Sequence, residues 1–351
     1  MSGRLTISLS ALAANYAHLL RQATGDVAAV VKADAYGLGA PAIASRLKRE
    51  GCTEFFVATA DEGTRLRHAH QDVVIYVLEG AYAENVPALI KSELIPVLNT
   101  VKQCQDWSPT QRPAAVHIDS GMQRLGFPYS HGLGELAGLA FPVHLFISHF
   151  ARADEPGHGS IVQQMAHSGP LYAALQREHP QMRLSLCNSA GLLEGVGPED
   201  LGRAGIALYG GNPFDDLPNP MTAVARLDAR VMQVRDVGAG VAVGYGGAFV
   251  TTRPSKLAIL GVGYADGVPR LLSNQGRVFA GGEYCPIVGR VSMDLLIVDV
   301  TGAEVLEGDW AEVVGTRVPL DEVATQAQTL TYEILTGIST RVPRLYVERS
   351  L

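Results

Sequence analysis

The hydrophobic pattern of the 351-residue chain has two regimes. In the first, short β-branched or apolar runs recur at 27–32, 54–59, 73–78, 94–99, 114–119, 143–148, 184–189 and 205–209, each followed by helical periodicity or helix-forming residues. Alternation of this kind marks βα units. Several runs are apolar almost throughout, as strands covered on both faces must be. Eight parallel strands in roughly 200 residues predict an α/β fold, a (β/α)8 TIM-like barrel. Past Met221 the pattern changes: 226–237 alternates at period two, glycine-bounded short strands follow, and helical periodicity returns only at 320–335. Residues 1–221 therefore read as the barrel domain and 222–351 as a β-rich second domain, with the proline-punctuated stretch 212–220 as linker. A strand-like run at 5–9 is surplus to the barrel count and is available to pair, within residues 4–9, with the second domain. Ser10 is placed to cap the helix that follows it.

Composition narrows the class of partner. A chain that is 47% hydrophobic and 18% charged is a compact globular protein. Its net charge is −7, and no window concentrates Lys and Arg, which argues against a nucleic-acid or anionic-membrane surface and for a small-molecule partner. No segment approaches eighteen uninterrupted apolar residues, and the first twenty lack the apolar core of a signal peptide, so no membrane association is expected. Cys52, Cys104, Cys187 and Cys285 lie far apart without CxxC spacing and read as reduced thiols of a cytoplasmic protein. Cys187, beside Asn188, reads as a buried inert thiol.

Barrel enzymes place their chemistry at the carboxyl ends of the strands. Lys32 ends the first run, Arg124 follows the fifth, His149 the sixth, Asn188 and Ser189 end the seventh, and Arg203 precedes the eighth. Singly, each has a plain structural explanation: a snorkelling lysine, a satisfied core histidine, a surface arginine. Together they fall on one rim. A lysine in the apolar context AVVKADAYG is expected to have a depressed amine pKa, which frees the nitrogen as a nucleophile. Gly205 and Ile206 offer backbone N–H groups near Asn188 and Ser189, a suitable anion cradle. Gly37, Gly39 and Ala42, with Asp61 further on, also satisfy a dinucleotide-binding G-x-G-x-x-A pattern. Four residues separate Lys32 from Gly37, however, and eight runs exceed the six strands of that fold, so the dehydrogenase reading is set aside. No metal-binding motif occurs, and no metal is expected.

These residues sit in segments that resemble the alanine racemase family over nearly the whole chain. The matching stretches are AVVKADAYGLG, DSGMQRLGF, SHFARAD, CNSAG and GRAGIALYG, then VGYGGAF, GVGYADG, GRVSMD and YEILTGISTRVPR. The resemblance implies a barrel plus a β domain, pyridoxal 5'-phosphate (PLP) as cofactor, L- and D-alanine as substrates, and a head-to-tail homodimer with shared active sites. Within it, Lys32 corresponds to the PLP-linked lysine that also acts on D-alanine, and Tyr245 to the opposing base, reaching the partner's cofactor. Tyr264, Met293 and Asp294 would complete that neighbouring site, with Met293 touching substrate and Tyr264 and Asp294 lining its approach. Arg124 corresponds to a residue near the substrate carboxylate. Tyr36, Ser189, Gly205, Ile206 and Tyr332 correspond to the phosphate cradle, with Asn188 beside it. His149 and Arg203 correspond to a hydrogen-bonded relay, with Arg203 facing the pyridine nitrogen.

The chemistry accounts for these residue types. Racemisation needs acid/base groups on opposite faces of Cα, and one lysine cannot serve both. A tyrosine with a pKa near 10 is a poor base at neutral pH unless its phenolate is stabilised. Alternatives are a racemase of broader range that includes serine, a PLP-dependent decarboxylase on the same barrel, and a non-catalytic PLP carrier, which would have no use for Tyr245. Both D-alanine supply for cell-wall peptidoglycan and D-alanine catabolism fit a racemase. One departure stands out: where many family members carry a carbamylated lysine that holds the arginine corresponding to Arg124, this chain has His117. A buried Arg124 would then need a bound anion, ordered water or a carboxylate such as Asp119 in its place.

Overall fold

The computed structural model describes residues 2–197, 199–214 and 216–351. Eight parallel strands stand side by side in chain order: Asp26–Val30, Glu54–Val57, Val74–Val77, Ile95–Leu98, Ala114–Asp119, Val143–Ile147, Arg183–Ser185 and Leu201–Ala204. The eighth pairs with the first, Leu201 opposite Asp26 through Ala204 opposite Ala29. Backbone hydrogen bonds from Asp200 N to Leu184 O (2.9 Å) and from Arg203 N to Cys187 O (3.0 Å) tie it to the seventh and close the ring. Helices such as Ala40–Arg49, Ala60–Ala69 and Ser160–Glu178 alternate with these strands. The run Glu54–Val57 is buried at every position, as a strand covered on both faces requires.

Two local expectations are corrected. The run 205–209 is not the eighth strand: Leu201–Ala204 takes that place, and Ile206–Tyr209 forms a tight 3₁₀ turn behind it. Gly205 (φ −116°, ψ −108°) breaks the extended backbone there, and Tyr209 turns inward to donate to Val30 O at 2.7 Å. The cap of helix Leu9–Gln22 is Ser8 rather than Ser10; its Oγ accepts from Ala11 N at 3.0 Å.

The second body of structure is an antiparallel assembly around the thirteen-residue strand Ala225–Val237. One part of that strand pairs with Gly3–Ser8 and Trp310–Val314, the other with Ser255–Leu260. A register shift between Val231 and Gln233 interrupts the second pairing, and such bulges re-aim a strand. The strand Gly3–Ser8 lies between Ala225–Val237 and the parallel strand Arg344–Val347, so both ends of the chain belong to this sheet. The G-x-G-x-x-A glycines are not a dinucleotide turn; Gly37 (φ +82°) and Gly39 (φ +96°) lie in the connection to helix Ala40–Arg49.

The amino-terminal rim of the barrel is closed by a polar cluster. Arg183 donates to both carboxylate oxygens of buried Glu54, and Tyr76 Oη donates to Glu54 Oε2 at 3.0 Å. Removing the carboxylate strands a cation and a buried hydroxyl. Glu54→Ala should therefore destabilise the protein by about 2 kcal/mol, below the value for a fully buried pair because 33% of the Arg183 side chain stays in water. Urea unfolding reads this loss, and an unchanged midpoint would show that the cluster contributes nothing to stability.

Candidate active site

At the carboxyl ends of the barrel strands lies a cavity of about 640 Å³. Ten of the residues singled out from sequence line it: Lys32, Tyr36, Arg124, His149, Asn188, Ser189, Arg203, Gly205, Ile206 and Tyr332. Lys32 follows the first strand and opens a short segment, 32–36, that is not an ordinary helix. Ala33, Asp34, Ala35 and Tyr36 all have φ between +52° and +57°, one left-handed turn closed by Ala35 N to Val31 O (2.9 Å) and Gly37 N to Ala33 O (2.8 Å). Burial, then the nearby Arg124 charge, hold the Lys32 ammonium below its usual pKa against the pull of Glu62. The Glu62 carboxylate is itself occupied by backbone donors, Ala33 N at 2.8 Å and Ala58 N at 2.7 Å.

Arg203 lies on the eighth strand, buried beneath the cavity floor. Its guanidinium donates to Ser185 Oγ (2.6 Å), Ser148 O (2.6 Å), Leu186 O (3.3 Å) and His149 Nδ1 (3.3 Å), and none of these partners is a carboxylate. Burial pulls its pKa down to about 10, which still leaves it cationic at neutral pH. Burial and the Arg203 charge drive His149 well below its ordinary value, so it is a neutral imidazole. Because Nδ1 accepts from Arg203, the proton resides on Nε2.

The far wall is a cradle of small donors. Ser189 Oγ accepts from Gly205 N (2.9 Å) and Ala207 N (3.3 Å), which leaves its own proton free to be donated. Asn188 caps the short helix behind it by accepting from Gly191 N at 3.0 Å. A Cβ on residue 205 would lie 2.7 Å from Tyr36 Oη, so glycine is required for the close approach. The Tyr36 ring packs against Tyr209 and Tyr332 at centroid distances of 4.6 and 5.9 Å. Burial raises both the Tyr36 and Tyr332 phenols, Tyr332 to about 12, so they are neutral donors. Hydroxyls, a bare glycine and a cationic surrounding fit a phosphate; an amine of lowered pKa and a buried guanidinium fit the aldehyde and ring of PLP.

The expectation of a buried Arg124 is corrected. Its side chain is exposed and makes no ion pair among the described residues. Asp119 is not its counter-ion: the carboxylate accepts from four backbone amides, Gly121, Met122, Gln123 and Arg124, and so builds the loop instead. His117 lines the cavity and donates from Nδ1 to Asn99 Oδ1 at 2.8 Å. The Asn99 amide is oriented by its own bonds to Val97 O (2.7 Å) and Leu78 O (3.2 Å), which fixes the imidazole tautomer.

Tyr245, Tyr264, Met293 and Asp294 do not line the cavity of their own chain. They lie on the surface of the second domain, with Tyr245 71% exposed and Met293 53% exposed. The Tyr264 and Met293 loops are joined by Tyr264 N to Ser292 O and Ala265 N to Met293 O, both 3.0 Å. Arg341 clamps them by donating to Asp266 and Asp294. Asp154, Asn212, Phe214, Asp321 and Thr325 also line the cavity and were not picked out from sequence. Asn212 and Phe214 were hidden inside a stretch that reads as linker, yet Asn212 N donates to Asp321 Oδ1 at 2.9 Å and sews it down.

Residues 7–213 match the family model "Alanine racemase, N-terminal domain", and residues 224–346 match "Alanine racemase, C-terminal domain". The chain belongs to the alanine racemase family. It is 42% identical to a catabolic alanine racemase of Rhizobium johnstonii, over 98% of this chain and 95% of that protein. It is 39% identical to a biosynthetic alanine racemase of Agrobacterium fabrum, over 98% and 93%. Among solved structures, the alanine racemase of Bartonella henselae with covalently bound pyridoxal phosphate superposes with a TM-score of 0.92 at 36% identity, covering 99% of this chain and 100% of that one. The chain is thus similar in sequence to relatives named for each of the two physiological roles. No described helix is long and apolar enough to cross a membrane.

The lowered pKa of His117, down to about 4 through burial and the Arg203 and Arg124 charges, has a stability consequence. The unfolded chain binds that proton near pH 6.5, the folded chain only near 4, so stability falls as pH drops through this window. In His117→Asn that component should disappear, flattening the pH dependence of urea midpoints between about 6.5 and 4; an unchanged profile would show that His117 titrates normally.

Proposed function

We propose that this chain is a PLP-dependent alanine racemase that interconverts L- and D-alanine by a two-base mechanism shared across a homodimer. The reading rests on one observation: a single cavity brings together an amine of lowered pKa, a hydroxyl-lined anion cradle and a buried guanidinium without a carboxylate partner. When bound, PLP conjugates the substrate nitrogen to an electron-withdrawing ring and so makes the Cα proton removable. Lys32 would hold the cofactor and move a proton at its Nζ on one face of Cα. Tyr36, Ser189, Gly205, Ile206 and Tyr332 would hold the phosphate, with Asn188 supporting the cradle.

Arg203 would face the ring nitrogen. Its guanidinium offers N–H groups and keeps its own charge, so it donates a hydrogen bond there without giving up a proton. Neutral His149, oriented by Arg203, would donate a hydrogen bond from Nε2–H to the opposing tyrosine's oxygen and so stabilise its phenolate. Arg124 would meet the substrate carboxylate.

The second base must come from outside the chain's own cavity. Tyr245 would supply it from a second copy, with Met293 touching substrate and Tyr264 and Asp294 lining the approach. The exposure of Tyr245, Tyr264 and Met293 supports such docking: three large side chains of the second domain stand open to solvent. A boundary near residue 221 would let the second domain act on the neighbouring barrel. Four unpaired cysteines support a cytoplasmic protein. Because the reaction runs in both directions, the same site fits either D-alanine supply for the cell wall or D-alanine breakdown.

Incubation of the PLP-loaded protein with L-alanine should yield D-alanine by chiral chromatography; carbon dioxide release instead would select decarboxylation. Tyr245→Phe should lower the rate by about 10²–10⁴ with PLP still bound. An equal mixture of Lys32→Ala and Tyr245→Phe chains should recover about a quarter of the wild-type rate, since half of the dimers then hold one intact site. No recovery despite subunit exchange would place both bases on one chain.

A further inference from the structure

The turn that follows Lys32 is a costly conformation held from outside the barrel. Four successive non-glycine residues at positive φ carry a penalty of about 1–2 kcal/mol each. In their sequence, Ala-Asp-Ala-Tyr, only Asp34 is of a type that visits this region with any ease. Within the barrel the turn is met by Glu62 on Ala33 N, and by the Asp34 side chain, which accepts from Ala40 N at 2.8 Å. At its far end the support comes from the second domain. Arg344 donates from Nε (3.2 Å) and Nη2 (3.0 Å) to Gly37 O. The same guanidinium is fixed by Ser339 O and Val342 O, both at 2.6 Å, and by Ile338 O at 2.8 Å. Tyr346 Oη donates to Leu38 O at 2.9 Å. Arg344 and Tyr346 lie on the strand Arg344–Val347, which is anchored in parallel register to Gly3–Ser8. Gly37 itself has no room for a side chain, since a Cβ would approach Leu335 O to 2.7 Å.

We infer that Arg344 is a positioning residue for Lys32: by gripping Gly37 O from the second domain it holds the left-handed turn closed and so keeps the Lys32 amine inside the cavity. The inference builds on the proposed role of Lys32, but it concerns backbone geometry and is measured without alanine. All five Arg344 bonds go to carbonyl oxygens, a fork geometry that lysine cannot reproduce. Without Arg344 the turn loses its distal anchor, and its residues gain by relaxing to negative φ. Lys32 then swings toward solvent, and its amine returns toward the ordinary lysine range.

Hydrogen exchange of the full-length protein tests this. In Arg344→Ala the amides of 35–39 should exchange about tenfold faster or more, while the barrel strand Glu54–Val57, which makes no bond to Arg344, keeps its protection. The pH dependence of Lys32 reductive methylation in the full chain stripped of cofactor should shift toward that of a surface lysine. Arg344→Lys, with one donor centre, should restore part of both effects. Should Arg344→Ala fail to fold, Tyr346→Phe removes only the bond to Leu38 O and should show a smaller rise confined to the same amides. Unchanged exchange at 35–39 in a folded Arg344→Ala protein, or in Tyr346→Phe where that is the variant measured, overturns the inference even if the enzyme racemises alanine. Faster exchange with an altered Lys32 titration upholds it even if alanine proves not to be the substrate.

Discussion

A guanidinium buried without a carboxylate is the constraint around which the site is organised. Arg203 is held by backbone carbonyls, a serine hydroxyl and a histidine nitrogen, so its hydrogen bonds are met while its charge is not neutralised by any direct partner. Taking such a cation out of water is costly, and the cost is lowered by whatever anion the cavity admits. Burial and this charge together keep His149 and His117 neutral, and burial with Arg124 on the rim makes the Lys32 amine lose its proton more readily. A cavity wall of this kind favours ligands with two anionic ends, a phosphate at the cradle and a carboxylate near Arg124. It also keeps the His149 imidazole neutral, with Nε2–H free to donate a hydrogen bond.

The second requirement is geometric. An amine is useful only where it points, and Lys32 points where it does because the chain folds left-handed immediately after it. That conformation costs about 4–8 kcal/mol over four residues, and several hydrogen bonds of about 1 kcal/mol each must offset it. They come from three directions: Glu62 in the barrel, Asp34 within the turn, and Arg344 with Tyr346 in the second domain. The second domain therefore has two duties within one short stretch. Arg344 steadies the chain's own lysine, and Arg341, three residues earlier, steadies the loops that bear Tyr264 and Asp294.

Much of this was legible in the sequence, and the gaps have physical causes. The barrel could be read because strands covered on both faces must be apolar, and runs such as Glu54–Val57 are buried throughout. The eighth strand was misplaced by the same rule. Leu201–Ala204 carries Gly202 and the charged Arg203, so it does not look like a strand, whereas the apolar run beyond Gly205 is core that packs as a 3₁₀ turn. Strand-end chemistry pointed to eight residues that share the cavity, and the family resemblance added Tyr36 and Tyr332. The left-handed turn was invisible, since Lys-Ala-Asp-Ala-Tyr is made of residues that populate ordinary helices. Arg124 was expected to be buried because charge arguments presume low dielectric; the structure leaves it open at the rim, and Asp119 is consumed by backbone amides.

The central claim is that Lys32, presented by this turn into this charged cavity, is the residue that bears the cofactor. Borohydride reduction of the PLP-loaded protein followed by peptide mapping tests it most directly. A pyridoxyl group should appear on Lys32 and on no other lysine, whereas labelling of a different lysine, or an active protein with an unmodified Lys32, would contradict the account.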